Sequence, residues 1–339
     1  MKKILVVRFS SIGDIVLTTP VVRCLKNQLD NAQIHYVTKP GFRGVLEENP
    51  YIDKVHILTE SLGELITELK AEKFDYVIDL HSNLRSLVIK KRLGVKSYTF
   101  DKLNFKKYLL VNFKINRMPN IHIVDRYMAT IEKLGVHNDN KGLDYFYNQK
   151  DEVEQGWLPT PFYEAGFSAF AIGGQHATKR LPIDKLLELC AKINGPIVLL
   201  GGPEDVEVAQ QVEQFFAPGK NVSADLTEGL NKRTVIFNGV GKFNLNQSAS
   251  IVKQAQRVFT HDTGVMHIAA AFQKEVFSIW GNTVPELGMY PYQTKFTIFE
   301  VKDLSCRPCS KIGYDECPKG HFKCMNEQKF DLFINKDSW

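Results

Sequence analysis

Strand-like and helix-like stretches alternate along almost the whole chain, and this alternation predicts an α/β protein built on parallel sheets. Two further observations make it two doubly wound domains. The alternation restarts after residue 150, and a polar, then proline-bearing stretch from Asn148 to Pro161 has the composition of a surface linker. The boundary is placed near residue 155, giving domains 1–155 and 156–339. With 339 residues, each half is long enough to bury its own core.

In the first half, short apolar runs predict strands over Ile4–Phe9, Ile34–Thr38, Lys54–Leu58 and Tyr76–Leu80. Amphipathic stretches over 62–73 and 121–134 predict helices, and Thr18-Thr19-Pro20 reads as a helix start. In the second half, strands are predicted over 168–172, 196–200, 234–237, 257–260, 276–280 and 296–299. Cys24 and Cys190 sit in helical apolar patterns and are expected in the core. Hydrophobic content of 44% and charged content of 24% are those of a soluble globular protein. The basic start runs into an apolar stretch that breaks at Arg8, which fits a first strand better than a leader peptide. Nowhere do about 18 apolar residues run together, so no membrane span is expected.

The net charge of +5 conceals an asymmetry: residues 1–150 carry 24 basic against 16 acidic residues, and the remainder 19 against 22. Most of the excess lies between Arg85 and Lys107, where Asp101 is the one acid. Such a run is either a solvated helix face or a surface for an anionic acceptor or anionic membrane. Nucleic acid is not expected, because the run lacks interleaved stacking aromatics.

The chemistry concentrates at strand ends, where open α/β sheets bind ligands. Ser10-Ser11-Ile12-Gly13-Asp14 follows the first strand and has one glycine, not the G-x-G-x-x-G of a dinucleotide site. An NAD-dependent oxidoreductase is therefore disfavoured. Asp14 is either a helix cap or a general base for an acceptor hydroxyl. Near the other end, Asp262-Thr263-Gly264 should open a helix whose N–H groups and dipole suit a diphosphate, with His267 on the same face. Asp262 or Thr263 is expected to cap that helix. The glycines at 173 and 174, followed by Lys179 and Arg180, read as another phosphate-facing loop. Glu204, after the next strand, is placed to accept hydrogen bonds from a sugar hydroxyl.

In this order, Ser10–Pro20, Lys179–Pro182, Asp262–Ala271 and Trp280–Pro285 resemble the motifs of glycosyltransferase family 9, the ADP-heptose lipopolysaccharide heptosyltransferases. Asp79–Arg85 and His122–Arg126 resemble that family's acceptor-domain segments. The resemblance implies a GT-B fold, two Rossmann-like domains facing across a cleft, and an inverting transfer without a catalytic metal. It casts Asp14 as the base and Lys179 as the group that neutralises the departing diphosphate. Thr178, Glu204, Asp262, Thr263, Gly264 and His267 would hold ADP-heptose, and Ser11, Gly13 and Arg85 the acceptor, a lipid A–Kdo or inner-core sugar. It places the protein in the cytoplasm, peripheral at the inner face of the inner membrane. The alternatives are another nucleotide sugar on the same fold, or a non-catalytic nucleotide-sugar or nucleic-acid binder.

Four of the six cysteines, Cys306, Cys309, Cys317 and Cys324, lie near the end. Their spacing is compatible with a structural zinc, with His321 as a substitute ligand, and equally with free thiols.

Overall fold

The structure, a computed structural model, describes residues 2–193, 195–218 and 234–331. It divides into two compact units, Met1–Asn104 with Pro119–Gln149, and Phe105–Met118 with Lys150–Trp339. The segment Phe105–Met118, contiguous in sequence with the first half, is thus counted with the second unit. There Lys114 Nζ donates to the carbonyls of Pro308 at 2.6 Å and Cys306 at 3.2 Å. Leu110 and Met118 pack with Val284 and Leu287.

The first unit carries five strands: β1 (Lys2–Val7), β2 (Ala32–Thr38), β3 (Lys54–Ile57), β4 (Tyr76–Asp79) and β5 (Lys96–Thr99). All pair in parallel in the order β3-β2-β1-β4-β5. Leu5, Val7, Val37 and Val77 join Leu65 and Leu69 of the helix Leu62–Glu72 in one apolar core. Burying each such side chain contributes about 1.5–3 kcal/mol. Ser61 starts that helix by accepting from the Glu64 N–H at 3.2 Å. The strand over 96–99 was not anticipated from sequence. Its Lys-Ser-Tyr-Thr residues form a largely exposed sheet edge with no apolar run to mark it. The helix expected over 121–134 is shorter, Ile123–Met128, followed by a 3-10 turn at Glu132–Leu134.

In the second unit the strands are β6 (Ser168–Ala171), β7 (Pro196–Leu200), β8 (Val235–Asn238), β9 (Arg257–His261), β10 (Glu275–Trp280) and β11 (Phe296–Glu300). Again every pairing is parallel, in the order β11-β10-β9-β6-β7-β8. Phe170, Leu199, Phe259 and Ile279 pack against Leu186 and Leu189 of the helix Ile183–Ile193 and the buried Cys190. Cys24 is likewise buried in the first unit.

Both sheets are doubly wound, and each has one place where strand order reverses: between β1 and β4, and between β6 and β9. Loops leaving the strands there part in opposite directions and leave a crevice beyond the carboxyl ends. The four loops concerned follow Val7, Asp79, Ala171 and His261.

Candidate active site

At the first crevice, β1 gives way to Arg8, whose side chain turns inward and is almost fully buried. A buried guanidinium needs partners on every side. Nε donates to the Ser10 carbonyl at 2.7 Å, and Nη1 to the Leu80 carbonyl at 2.7 Å and the Tyr127 hydroxyl at 3.1 Å. Nη2 pairs with Asp14 Oδ2 at 2.7 Å. Asp14 is the third residue of the short helix Ile12–Val16. The Ser11 N–H and hydroxyl donate to the same Oδ2 at 3.3 and 3.0 Å. Asp14 therefore does brace its own helix start, and every contact recorded for it falls on one oxygen. Among the described residues, Oδ1 has no such partner. Burial alone would raise this carboxyl, but Arg8 and the Ser11 hydrogen bonds outweigh it and hold it below the usual carboxylate range. Asp14 is thus ionised at neutral pH, the form that a proton acceptor requires.

Ser11 is exposed and spends its hydroxyl on Asp14, while Gly13 is buried within the helical turn. Of the expected acceptor residues these two shape the loop. Asp79 is fully buried and holds the β4 exit: Oδ1 accepts the N–H groups of His81 and Ser82, and Oδ2 takes the Ser86 hydroxyl and the Lys90 ammonium at 2.7 Å. Lys90, part of the basic run, is therefore a structural tie. His81 was not singled out from sequence. Its ring packs on Phe9 at 4.8 Å, and burial, then the charges of Arg8 and Lys102, lower it to about 4. Its buried Nδ1 has no hydrogen-bond partner among the described residues. Arg85 is exposed on the helix Leu84–Leu93. With Lys39, Thr59 and Glu60 it lines a groove of about 450 Å³ at the carboxyl rim of the same sheet.

The second crevice uses the opposite charge. Lys179 Nζ pairs with Asp262 Oδ2 at 2.7 Å and donates to the Asp262 carbonyl at 2.9 Å. Thr283, leaving β10, donates its hydroxyl to the same Oδ2 at 2.8 Å. Asp262 is thus a lysine holder, and of the two residues expected to cap the helix it is Thr263 that stands at the N-cap position. Thr263 precedes the helix Gly264–Ala271 and makes no capping hydrogen bond with its side chain; its hydroxyl lies 3.3 Å from that of Thr260. With no side-chain cap, the helix start presents its N–H groups and dipole two residues beyond the Asp262 carbonyl that Lys179 holds, an arrangement suited to a polyanion. His267 lies within the first turns of that helix and is buried.

Two other expected donor residues stand differently. Thr178 is buried, and its hydroxyl accepts from the Tyr314 N–H at 2.8 Å and donates to the Tyr314 carbonyl at 3.0 Å. It fastens the loop to the tail. Glu204 is exposed in the turn after β7, and its neighbour Asp205 is the buried carboxylate. Asp205 accepts from the Gly202 N–H at 2.9 Å and pairs with Arg180 at 3.3 Å; Arg180 also donates to the Gly174 carbonyl at 2.6 Å. A Cβ at Gly173 would run into the Asp205 carboxylate. A side chain there would have to push that carboxylate off its Gly202 and Arg180 partners. His261, fully buried, donates Nδ1–H to the Gly173 carbonyl at 3.2 Å and accepts the Leu181 N–H on Nε2 at 3.1 Å. Burial lowers it to about 4 and keeps it neutral, which allows both roles. Asp205 and His261 escape a motif reading, and Arg180 is read there only as part of a phosphate-facing loop, because the contacts that fix all three depend on burial, which adjacency in sequence does not reveal.

The cysteines come near one another without closing a site. Cys306 Sγ lies 3.8 Å from His321 Nε2, and the Cys309 and Cys324 thiols, raised first by burial, also feel the charge of their neighbours. Among the described residues, the one set of three ligand atoms lying within 4.8 Å of one another is instead His35, His56 and Glu72. Four thiolates on zinc would stand about 3.8 Å apart, given a Zn–S length near 2.3 Å.

The model of glycosyltransferase family 9 (heptosyltransferase) matches residues 62–319. Lipopolysaccharide heptosyltransferase 1 of Campylobacter coli is 25% identical over 302 residues, 83% of this chain and 84% of that protein. Lipooligosaccharide heptosyltransferase 2 of Haemophilus influenzae is 24% identical over 318 residues, 88% of each chain. In fold, the chain is similar to a family 9 glycosyl transferase from Veillonella parvula, with a TM-score of 0.66 at 23% identity, covering 88% of this chain and 85% of that one. It is also similar to ADP-heptose lps heptosyltransferase II of Escherichia coli, with a TM-score of 0.65 at 18% identity, covering 96% and 98%. The two Rossmann-like units are those of the GT-B architecture, and the chain is a glycosyltransferase that belongs to glycosyltransferase family 9.

Proposed function

We propose that the enzyme transfers heptose from ADP-heptose to a Kdo or inner-core sugar of lipopolysaccharide, with inversion and without a catalytic metal. The observation that carries this reading is the pairing of opposite devices on two similar sheets. One crevice holds an ionised carboxylate with an open oxygen; the other holds a fixed ammonium beside an uncapped helix start. Asp14 takes the proton of the acceptor hydroxyl as that oxygen attacks the anomeric carbon. Lys179 and the N–H groups beyond Thr263 and Gly264 receive the charge that builds on the departing diphosphate. Asp262 and Thr283 keep Lys179 in position, and His267 and Glu204 complete the donor site. Arg85 and the groove beside it meet the phosphorylated acceptor. The relatives' names support heptose as the sugar, and solved neighbours include an E. coli heptosyltransferase with ADP, at a TM-score of 0.60. Calorimetry against ADP, UDP and GDP tests the donor: preference for ADP supports the proposal, and preference for UDP or GDP replaces the sugar nucleotide.

The same proposal places the enzyme on the cytoplasmic face of an anionic membrane. No described helix is long and apolar enough to cross one. Support comes from residues 105–118, where Phe105, Tyr108, Phe113 and Ile115 are exposed among Lys106, Lys107, Lys114 and Arg117, with no acid in the segment. Aromatic and basic side chains presented together suit the headgroup region of an anionic leaflet. Co-sedimentation with anionic but not neutral vesicles, lost on Phe105→Ser with Phe113→Ser, is the expected outcome. A structural zinc on Cys306, Cys309, Cys317 and Cys324 also belongs to the proposal and requires the 306–324 loop to tighten around the ion. Stoichiometric zinc that disappears in Cys309→Ser is the outcome that supports it.

A further inference from the structure

The first unit contains a second cluster of ligand-type side chains, away from the crevice, in the body of the sheet. His35 stands in the middle of β2 and His56 near the end of β3. The register pairs His35 with Lys54, two residues before His56, so both imidazoles lie on the same face. The helix Leu62–Glu72 brings Glu68 and Glu72, one turn apart, to the two histidines. Both histidines are buried, whereas Glu68, Lys54 and Lys3 reach solvent and leave a way in.

We propose that His35 Nδ1, His56 Nε2 and Glu72 Oε2 form a binding site for one divalent transition metal of borderline softness, with zinc the natural occupant. The three atoms lie within 4.8 Å of one another; His35 Nδ1 is 2.9 Å from His56 Nε2 and 4.0 Å from Glu72 Oε2. Ligand atoms about 2.0–2.1 Å from a tetrahedral zinc stand about 3.3 Å apart, so these separations bracket the required one. The outer ring of a metal site is also present. His56 Nδ1 faces Glu68 Oε1 at 2.5 Å, the carboxylate–imidazole contact that aims the other ring nitrogen, with its lone pair, at a metal. Lys54 holds the second oxygen of Glu72 at 2.7 Å. In the metal-free protein His35 Nδ1 and His56 Nε2 share a hydrogen bond; with His56 Nδ1–H turned to Glu68, the shared proton is on His35 Nδ1, and metal binding releases it to solvent while His35 Nε2 takes one up, leaving both imidazoles neutral.

A cation already neutralises the liganding oxygen: Lys3 Nζ lies 2.8 Å from Glu72 Oε2. Metal binding exchanges this ammonium for the ion, with Lys3 swinging toward solvent and water taking the fourth position. The bound ion would staple β3, the outer strand, to β2 and to the covering helix. Its role is structural and independent of the transfer reaction.

Cobalt(II) titration of the purified full-length chain, after chelation and dialysis, tests the site. The expected result is one saturable ion per chain with visible tetrahedral bands and no near-ultraviolet thiolate charge transfer, which separates it from the cysteine tail. Glu68→Gln should weaken binding 10–100-fold. Lys3→Met, which removes the competing ammonium, should tighten it. Either variant tests the site even if His35→Gln or His56→Gln does not fold. No saturable binding, thiolate bands alone, or an affinity indifferent to Glu68→Gln and Lys3→Met overturns the proposal.

Discussion

The two crevices are built on the same topology and hold opposite charges in opposite ways. At the first, the anion Asp14 is braced by a buried arginine that is itself tied to two carbonyls and a hydroxyl. At the second, the cation Lys179 is braced by Asp262, which is held in turn by Thr283. In each case an opposite charge fixes the working group, and that partner is fixed by atoms of neighbouring loops. A doubly wound sheet supplies the location; under the proposed function, which member of the ion pair faces the substrate sets whether the location serves as base or anion site.

The comparison breaks first at Asp14. Asp14→Asn preserves shape and removes the proton acceptor, so kcat should fall about 10²–10⁴-fold, with ADP affinity unchanged by calorimetry. Lys179→Met should lower kcat by about 10²–10³-fold and weaken ADP as well, because it removes charge from the leaving-group side. Gly281→Ala asks whether the second crevice depends on close backbone approach. An added Cβ would stand 2.8 Å from the Thr178 carbonyl and 2.6 Å from Met325, so denaturant titration should show a loss of about 1–3 kcal/mol.

The smallest effect is a shift along the pH axis. With Arg8 present, the Asp14 carboxyl sits below its usual range, so the carboxylate persists as pH falls and its stabilising contribution is lost only on passing through that lowered value. In Arg8→Gln, burial is no longer opposed by the guanidinium, and the acid limb of kcat/KM should move to higher pH. An unmoved limb would detach Arg8 from the titration of Asp14.

Much of this was legible in the sequence, for identifiable reasons. Runs such as Ile4–Val7 and Ile197–Leu200 are buried on both faces, and continuous branched apolar residues announce such strands. Asp14, Lys179 and Asp262 stand beside glycine-bearing turns at strand ends, where composition itself is a signal. The edge strand at Lys96–Thr99 was not legible, because a half-exposed edge carries no apolar pattern. Nor was the burial of Asp205 beside an exposed Glu204: both are acids in one turn, and the packing around Gly173 and Arg180 decides which is buried. Nor was the tie between the Thr178 hydroxyl and Tyr314, 136 positions along the chain. Cooperation over that distance leaves no trace in local pattern.

The division of roles between the two crevices is tested most directly by ADP calorimetry on Asp14→Asn and Lys179→Met side by side, each paired with a turnover assay. The expected result is full ADP affinity with lost turnover in Asp14→Asn, and weakened affinity together with lost turnover in Lys179→Met. Near-normal turnover in Asp14→Asn, or ADP binding that is indifferent to Lys179, would contradict it.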